Sequence, residues 1–107
     1  MQFDTYQPVF RALADPTRRA IISMLAEGER PISEIADSFE MSRPAIAKHL
    51  KILKEGDLIT VVENGRERIN HLNPQSLKTA AEWINHFDKF WDERLALLKK
   101  AVETPND

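Results

Sequence analysis

A chain of 107 residues with 42% apolar and 30% charged side chains falls at the low end of one ordinary domain. Zero Cys excludes disulfides, thiolate metal sites and cysteine nucleophiles, and three Gly exclude a glycine-rich phosphate cradle. No stretch approaches the ~20 apolar residues of a membrane-spanning helix and the start lacks a signal peptide's apolar run, so a cytoplasmic location with no membrane partner is expected.

Taken in chain order, Phe3, Tyr6, Val9, Phe10 and Leu13 fall at helical spacing, with Asp4 or Thr5 as N-cap and Pro8 in the first turn. A second helix is capped by Asp15 and opened by Pro16, with Ile21, Ile22, Leu25 and Ala26 as its buried stripe and Gly28 as its stop. Arg18 and Arg19 stand in its first turns, where positive charge opposes the helix dipole; either a phosphate or a nearby acid would compensate them. Arg30-Pro31-Ile32 reads as an extended link. Ser33 then caps a short helix that buries Ile35, Ala36 and Phe39. Only Glu40-Met41 separates it from Ser42, the cap of a fourth helix that buries Ile46, Leu50 and Leu53 and ends at Gly56. Two helices joined by a three-residue turn form a helix-turn-helix pattern, here over residues 33–55.

Leu58 to Val62 is rich in β-branched residues, Asn64-Gly65 is a hairpin turn signal, and Arg66 to Leu72 can return as a second strand. That strand would carry Arg66, Arg68 and Asn70 on one face. A hairpin at residues 58–72 directly after a basic helix is the wing of a winged helix. Asn73-Pro74 opens a final helix over residues 74–103, roughly 45 Å long at 1.5 Å per residue. Its apolar stripe is wider than one neighbour needs, and four of the chain's eight aromatics lie between Trp83 and Trp91. The fold class is therefore mainly α with a small β-hairpin: one winged helix-turn-helix domain over residues 1–107, about five helices, the last long and dimerising.

A formal net charge of −2 argues against a nucleic-acid binder on average, but the average hides the distribution. Met41 to Lys54 contains Arg43, Lys48, Lys51, Lys54 and His49 and no acid, and a local basic stripe matters more than the total. A recognition helix enters the major groove N-terminus first, which nominates Ser42, Arg43, Ala45, Lys48 and His49, with Lys51 on phosphate. Arg43 could read guanine bidentately, and small Ala45 would allow close approach. Arg66 and Arg68 would reach backbone or minor groove from the wing. For the dimer, the aromatic and aliphatic stripe nominates Phe3, Tyr6 and Phe10 with Trp83, Ile84, Phe87, Phe90, Trp91, Leu95 and Leu98. The competing classes are a winged-helix module that docks another protein through this stripe, and a metal-responsive repressor with a non-thiolate site. His49, His71 and His86 show no HxxxH or HxH spacing, although His86 has Asp88, Asp92 and Glu93 nearby. No serine sits in a nucleophile elbow, so an enzyme is not expected.

The run Phe10 to Arg19, the run Met41 to Leu53 and the hairpin after it resemble ArsR-type winged-helix repressors of bacteria over nearly the whole chain. The resemblance implies a homodimeric repressor on a palindromic DNA operator, nucleoid-associated when bound. Ser42, Arg43, Ala45, Lys48 and His49 then match the family's recognition helix, and Arg66 and Arg68 its wing. Metal sensors of that family carry a cysteine motif near the helix at residues 33–39, and this chain has none. Others carry an Asp/His and His/Glu set on the last helix, which Trp83 to Arg94 does not reproduce. The chain thus resembles the metal-independent branch, with no cofactor or metal expected and its inducer unassigned.

Overall fold

Nine elements follow one another in the computed structural model, which describes residues 6–103. They are α1 (Gln7–Leu13), α2 (Pro16–Glu27), β1 (Arg30–Pro31), α3 (Ile32–Phe39), α4 (Arg43–Glu55), β2 (Ile59–Asn64), β3 (Glu67–Leu72), α5 (Pro74–Asn85) and α6 (Asp88–Glu103). The three strands form one antiparallel sheet in the order β1-β3-β2, with Val61 opposite Asn70 and Glu63 opposite Arg68. The helix-turn-helix followed by this small sheet is the winged arrangement expected from the sequence.

The cap residues explain the helix starts. Asp15 accepts a hydrogen bond from the Arg18 amide at 3.0 Å, and Ser42 accepts one from Ala45 at 3.3 Å. Each satisfies one of the backbone donors that a helix start leaves open. The turn between α3 and α4 closes differently. Glu40 takes a left-handed conformation (φ 52°), and the Met41 amide reaches back to the Ala36 carbonyl. Asp57 does the same after α4 (φ 56°), with the Leu58 amide on the Leu53 carbonyl. Gly56 serves packing instead: a Cβ there would lie 2.8 Å from the Pro8 carbonyl oxygen, so only glycine lets α4 pass α1 this closely.

One core gathers Val9 and Ala12 of α1, Ile21, Ile22 and Leu25 of α2, Ile35 and Ala36 of α3, Ile46, Leu50 and Leu53 of α4, and Leu58 and Ile59. α5 adds Ala80, and α6 buries nothing. The last two helices project as an arm, giving a longest dimension of 72 Å. The radius of gyration is 19.2 Å, where a compact chain of this length gives ~13 Å.

Several expectations need correction. Ala26 faces solvent, and α3 starts at Ile32 with no side-chain cap, so Ser33 lies inside the helix rather than capping it. Arg30 and Pro31 are a short strand rather than a free link, because they pair with Asn70 and Ile69. The hairpin turn sits one residue later than Asn64-Gly65: Asn64 still pairs with Glu67, leaving Gly65 (φ 65°) and Arg66 as the loop. The single final helix is interrupted at His86-Phe87, making six helices in all among the described residues. There the Phe87 amide bonds to Ile84, three residues back, tightening the turn where Asn85 and His86 are weak helix formers. Phe3 and the caps placed at Asp4 or Thr5 lie outside the described residues. No helix among these is long and apolar enough to cross a membrane.

Candidate nucleic-acid interface

α4 presents its core stripe (Ile46, Leu50, Leu53) inward and leaves Ser42, Arg43, Pro44, Ala47, Lys48, Lys51 and Lys54 exposed. The wing leaves Arg66 and Arg68 exposed. Lys51 and Lys54 of α4 and Arg68 of β3 line one cleft between helix and hairpin, so cations from both elements meet there. Among the described residues, Arg43, Lys48, Lys51, Lys54, Arg66 and Arg68 form no ion pair. Glu63 faces Arg68 across the hairpin without pairing to it. The acids elsewhere are spent differently: Glu55 turns to Arg11 of α1 at 3.1 Å, and Glu27 to Arg30 at 3.6 Å. The chain's acidic balance therefore does not neutralise this face.

The other nominated residues on α4 are less free. The Ser42 hydroxyl already caps the helix, and Ala45 is half-buried. His49 is turned away from the exposed face toward the start of α2. Its Nδ1 lies 3.4 Å from the Arg18 guanidinium and 3.9 Å from the Asp15 carboxylate. The Arg18 amide hydrogen bond, more than the Arg18 and His49 charges, holds the Asp15 carboxyl below the usual carboxylate range, against a smaller opposing effect of burial. Asn70, placed by the sequence on one face with Arg66 and Arg68, is buried and donates to the Arg30 carbonyl at 3.2 Å.

Half-buried Arg18 and exposed Arg19 form no ion pair among the described residues and are held instead by backbone carbonyls. Arg18 donates to the Ala12 and Arg11 carbonyls at 2.9 and 3.0 Å, and Arg19 to the Leu13 carbonyl at 2.7 Å. Positive charge that is misplaced for α2 is thus well placed for the carbonyl end of α1. Neither the phosphate nor the acid expected from the sequence is their partner here; the carbonyl end of α1 is. Ala47 and Lys54 also belong to the exposed face of α4: 100° per residue from Arg43 sets both within the arc that holds Lys51.

The arm carries the second set of nominated residues. Phe10 packs edge-on against Trp83 with ring centroids 5.4 Å apart, and Trp83 against Phe87 at 5.1 Å, which ties α1 to α5. Tyr6 lies 6.4 Å from Phe10. Beyond that joint, Ile84, Phe90, Trp91, Leu95 and Leu98 are exposed, Trp91 at 56% and Leu98 at 62%. Monomeric proteins rarely expose a contiguous apolar surface of this kind. No three His, Cys, Asp or Glu side chains of one chain converge into a metal site among the described residues.

A capped helix with an unpaired basic face, set by a tight turn against α3 and flanked by an arginine-bearing hairpin, defines a winged helix-turn-helix protein of the DNA-binding class. The family model described as "Bacterial regulatory protein, arsR family" matches residues 15–61. A transcriptional regulator of Mycobacterium tuberculosis, Rv2034, is 36% identical over 92% of this chain and 89% of its own length. The transcriptional repressor SdpR of Bacillus subtilis is 37% identical over 74% of this chain and 88% of its own. The solution structure of a homodimeric winged helix-turn-helix DNA-binding domain from Mycobacterium bovis superposes with a TM-score of 0.67 at 26% identity, covering 80% of this chain and 81% of that one. The chain belongs to the ArsR family of bacterial transcriptional regulators. Its chemistry is recognition, not catalysis.

Proposed function

We propose that the chain acts as a homodimeric repressor that occupies a two-fold symmetric operator. The observation that carries this reading is the convergence of unpaired cations from α4 and the wing on one cleft. In this reading, Arg43 and Lys48 at the exposed face of α4 enter the major groove, with Ser42 and Ala45 beside them. Lys51, Arg66 and Arg68 hold the sugar-phosphate backbone. His49 positions α4 through Arg18 and Asp15. The apolar arm pairs with its copy in a second chain, so that two recognition helices meet half-sites ~34–36 Å apart. The repressor and homodimer readings draw support from the Bacillus and Mycobacterium relatives, respectively.

Binding to a duplex from the chain's own upstream region tests this. Affinity should be saturable and fall steeply with salt, because neutralising phosphates releases counterions. Arg43→Ala/Lys48→Ala should weaken it by about 10- to 100-fold with the thermal melt unchanged. Retained affinity in that variant would remove α4 as the reader. The exposed arm also favours a second reading, docking to a different protein; a chain that sediments as a monomer on its own would favour that one.

A further inference from the structure

The cleft between α4 and the wing has a floor unlike a plain phosphate track. Leu50 of α4, Ile59 and Val61 of β2 and Ile32 of α3 make it aliphatic, while Lys51, Lys54 and Arg68 stand around it and no carboxylate lines it. None of those three cations has an ion-pair partner among the described residues. A phosphodiester backbone needs the cations but gains nothing from an apolar hollow. Water in such a hollow finds few hydrogen-bond partners, so an alkyl group displaces it favourably. The cavity holds about 230 Å³, below the roughly 300–1,000 Å³ of sites for drug-sized ligands, which restricts the occupant to a small molecule.

The geometry points to a binding site for a short-chain aliphatic carboxylate, its tail on the Leu50, Ile59 and Val61 floor and its head on Arg68 and the two lysines. The planar guanidinium of Arg68 matches a carboxylate with two parallel hydrogen bonds, and Lys51 and Lys54 add charge without demanding one orientation. Lys51 and Arg68 are also assigned to the DNA backbone, so an occupied cleft competes with DNA. That consequence rests on the DNA-binding reading; binding of the carboxylate itself does not.

The first arm of the test is a calorimetric or NMR titration of the full chain without DNA, with hexanoate as probe, at constant ionic strength. Hexanoate should bind saturably, with acetate and hexylammonium each weaker by about tenfold or more. Val61→Phe, which fills the floor with a residue that suits a strand, and the exposed Arg68→Gln should each weaken hexanoate by about tenfold. Absence of saturable binding overturns the proposal. So does equal binding of acetate (charge alone), equal binding of hexylammonium (apolar surface alone), or undiminished binding by both folded variants. The second arm adds the duplex. Hexanoate should lower the DNA affinity of the unaltered chain by about fivefold and leave that of Val61→Phe unmoved. Unchanged affinity overturns the competition, whereas a chain that binds no duplex under any condition overturns the DNA reading and leaves the first arm to decide the site.

Discussion

The body built from α1 to β3 and the arm built from α5 and α6 use the same kinds of residue to opposite ends. Among the described residues, twelve of the thirteen buried apolar side chains lie between Val9 and Ile59; the arm contributes Ala80 alone. Yet the arm carries both tryptophans and most of its leucines in the open. Each large apolar side chain left in water forgoes roughly 1.5–3 kcal/mol of burial, so the body is a finished core and the arm half of one. The joint between them is aromatic: Phe10 of the body against Trp83 of the arm. An apolar stripe at helical spacing is therefore not evidence of a core until its partner is found.

Substitutions that respect this division should separate assembly from folding. The largest effect belongs to the arm. Trp91→Glu/Leu98→Glu should convert a sedimenting dimer to a monomer and reduce operator affinity by about 100-fold, the loss expected when two linked half-sites are uncoupled. The melt of the body should stay put; a body that unfolds with the arm would erase the distinction. Next comes Gly56→Ala, whose Cβ meets the Pro8 carbonyl at 2.8 Å and Ala12 at 3.2 Å. It should cost about 1–3 kcal/mol in denaturant unfolding, because α1 must move off α4 and carry Phe10 away from Trp83. An unchanged midpoint would mean that the close approach is not rigid.

Smaller and of opposite sign is Asp57→Gly. It relieves a left-handed residue while keeping the Asp57 carbonyl that accepts from Asn73 and Ser76, and should add about 0.5 kcal/mol. A loss of stability would point to a side-chain role for Asp57. The smallest effect is at the corner that holds His49. A carboxylate with a lowered pKa stabilises the fold above its unfolded value, and the contribution disappears as pH falls through the folded one. Asp15→Asn keeps an oxygen for the Arg18 amide but not the charge, so the acid limb of its stability curve should be flatter than that of the unaltered chain. Superimposable acid limbs would show that the charge contributes nothing.

What was legible in the sequence was what depends on neighbours within a few residues. Asp15-Pro16 and Ser42 marked helix starts, and Ile46, Leu50 and Leu53 marked the inward face of α4. What escaped it depends on residues far apart along the chain. Arg18 and Arg19 stabilise a helix other than their own. Arg30-Pro31 becomes a strand only because β3 lies beside it. Register also escaped it: Asn64 stays in the ladder and Gly65-Arg66 turns, a difference of one residue set by pairing rather than by local preference. Among the candidate DNA-contacting residues, the basic face of α4 could be counted from helical period, but the inward turn of His49 could not, since Arg18 and Asp15 belong to another helix.

The central claim is that two copies of this chain, joined by their arms, hold one duplex through α4 and the wing. Sedimentation of the chain mixed with a duplex from its own upstream region measures this directly. The account predicts a complex of two chains per duplex that dissociates as salt is raised. One chain per duplex, or no saturable complex at low salt, would contradict it.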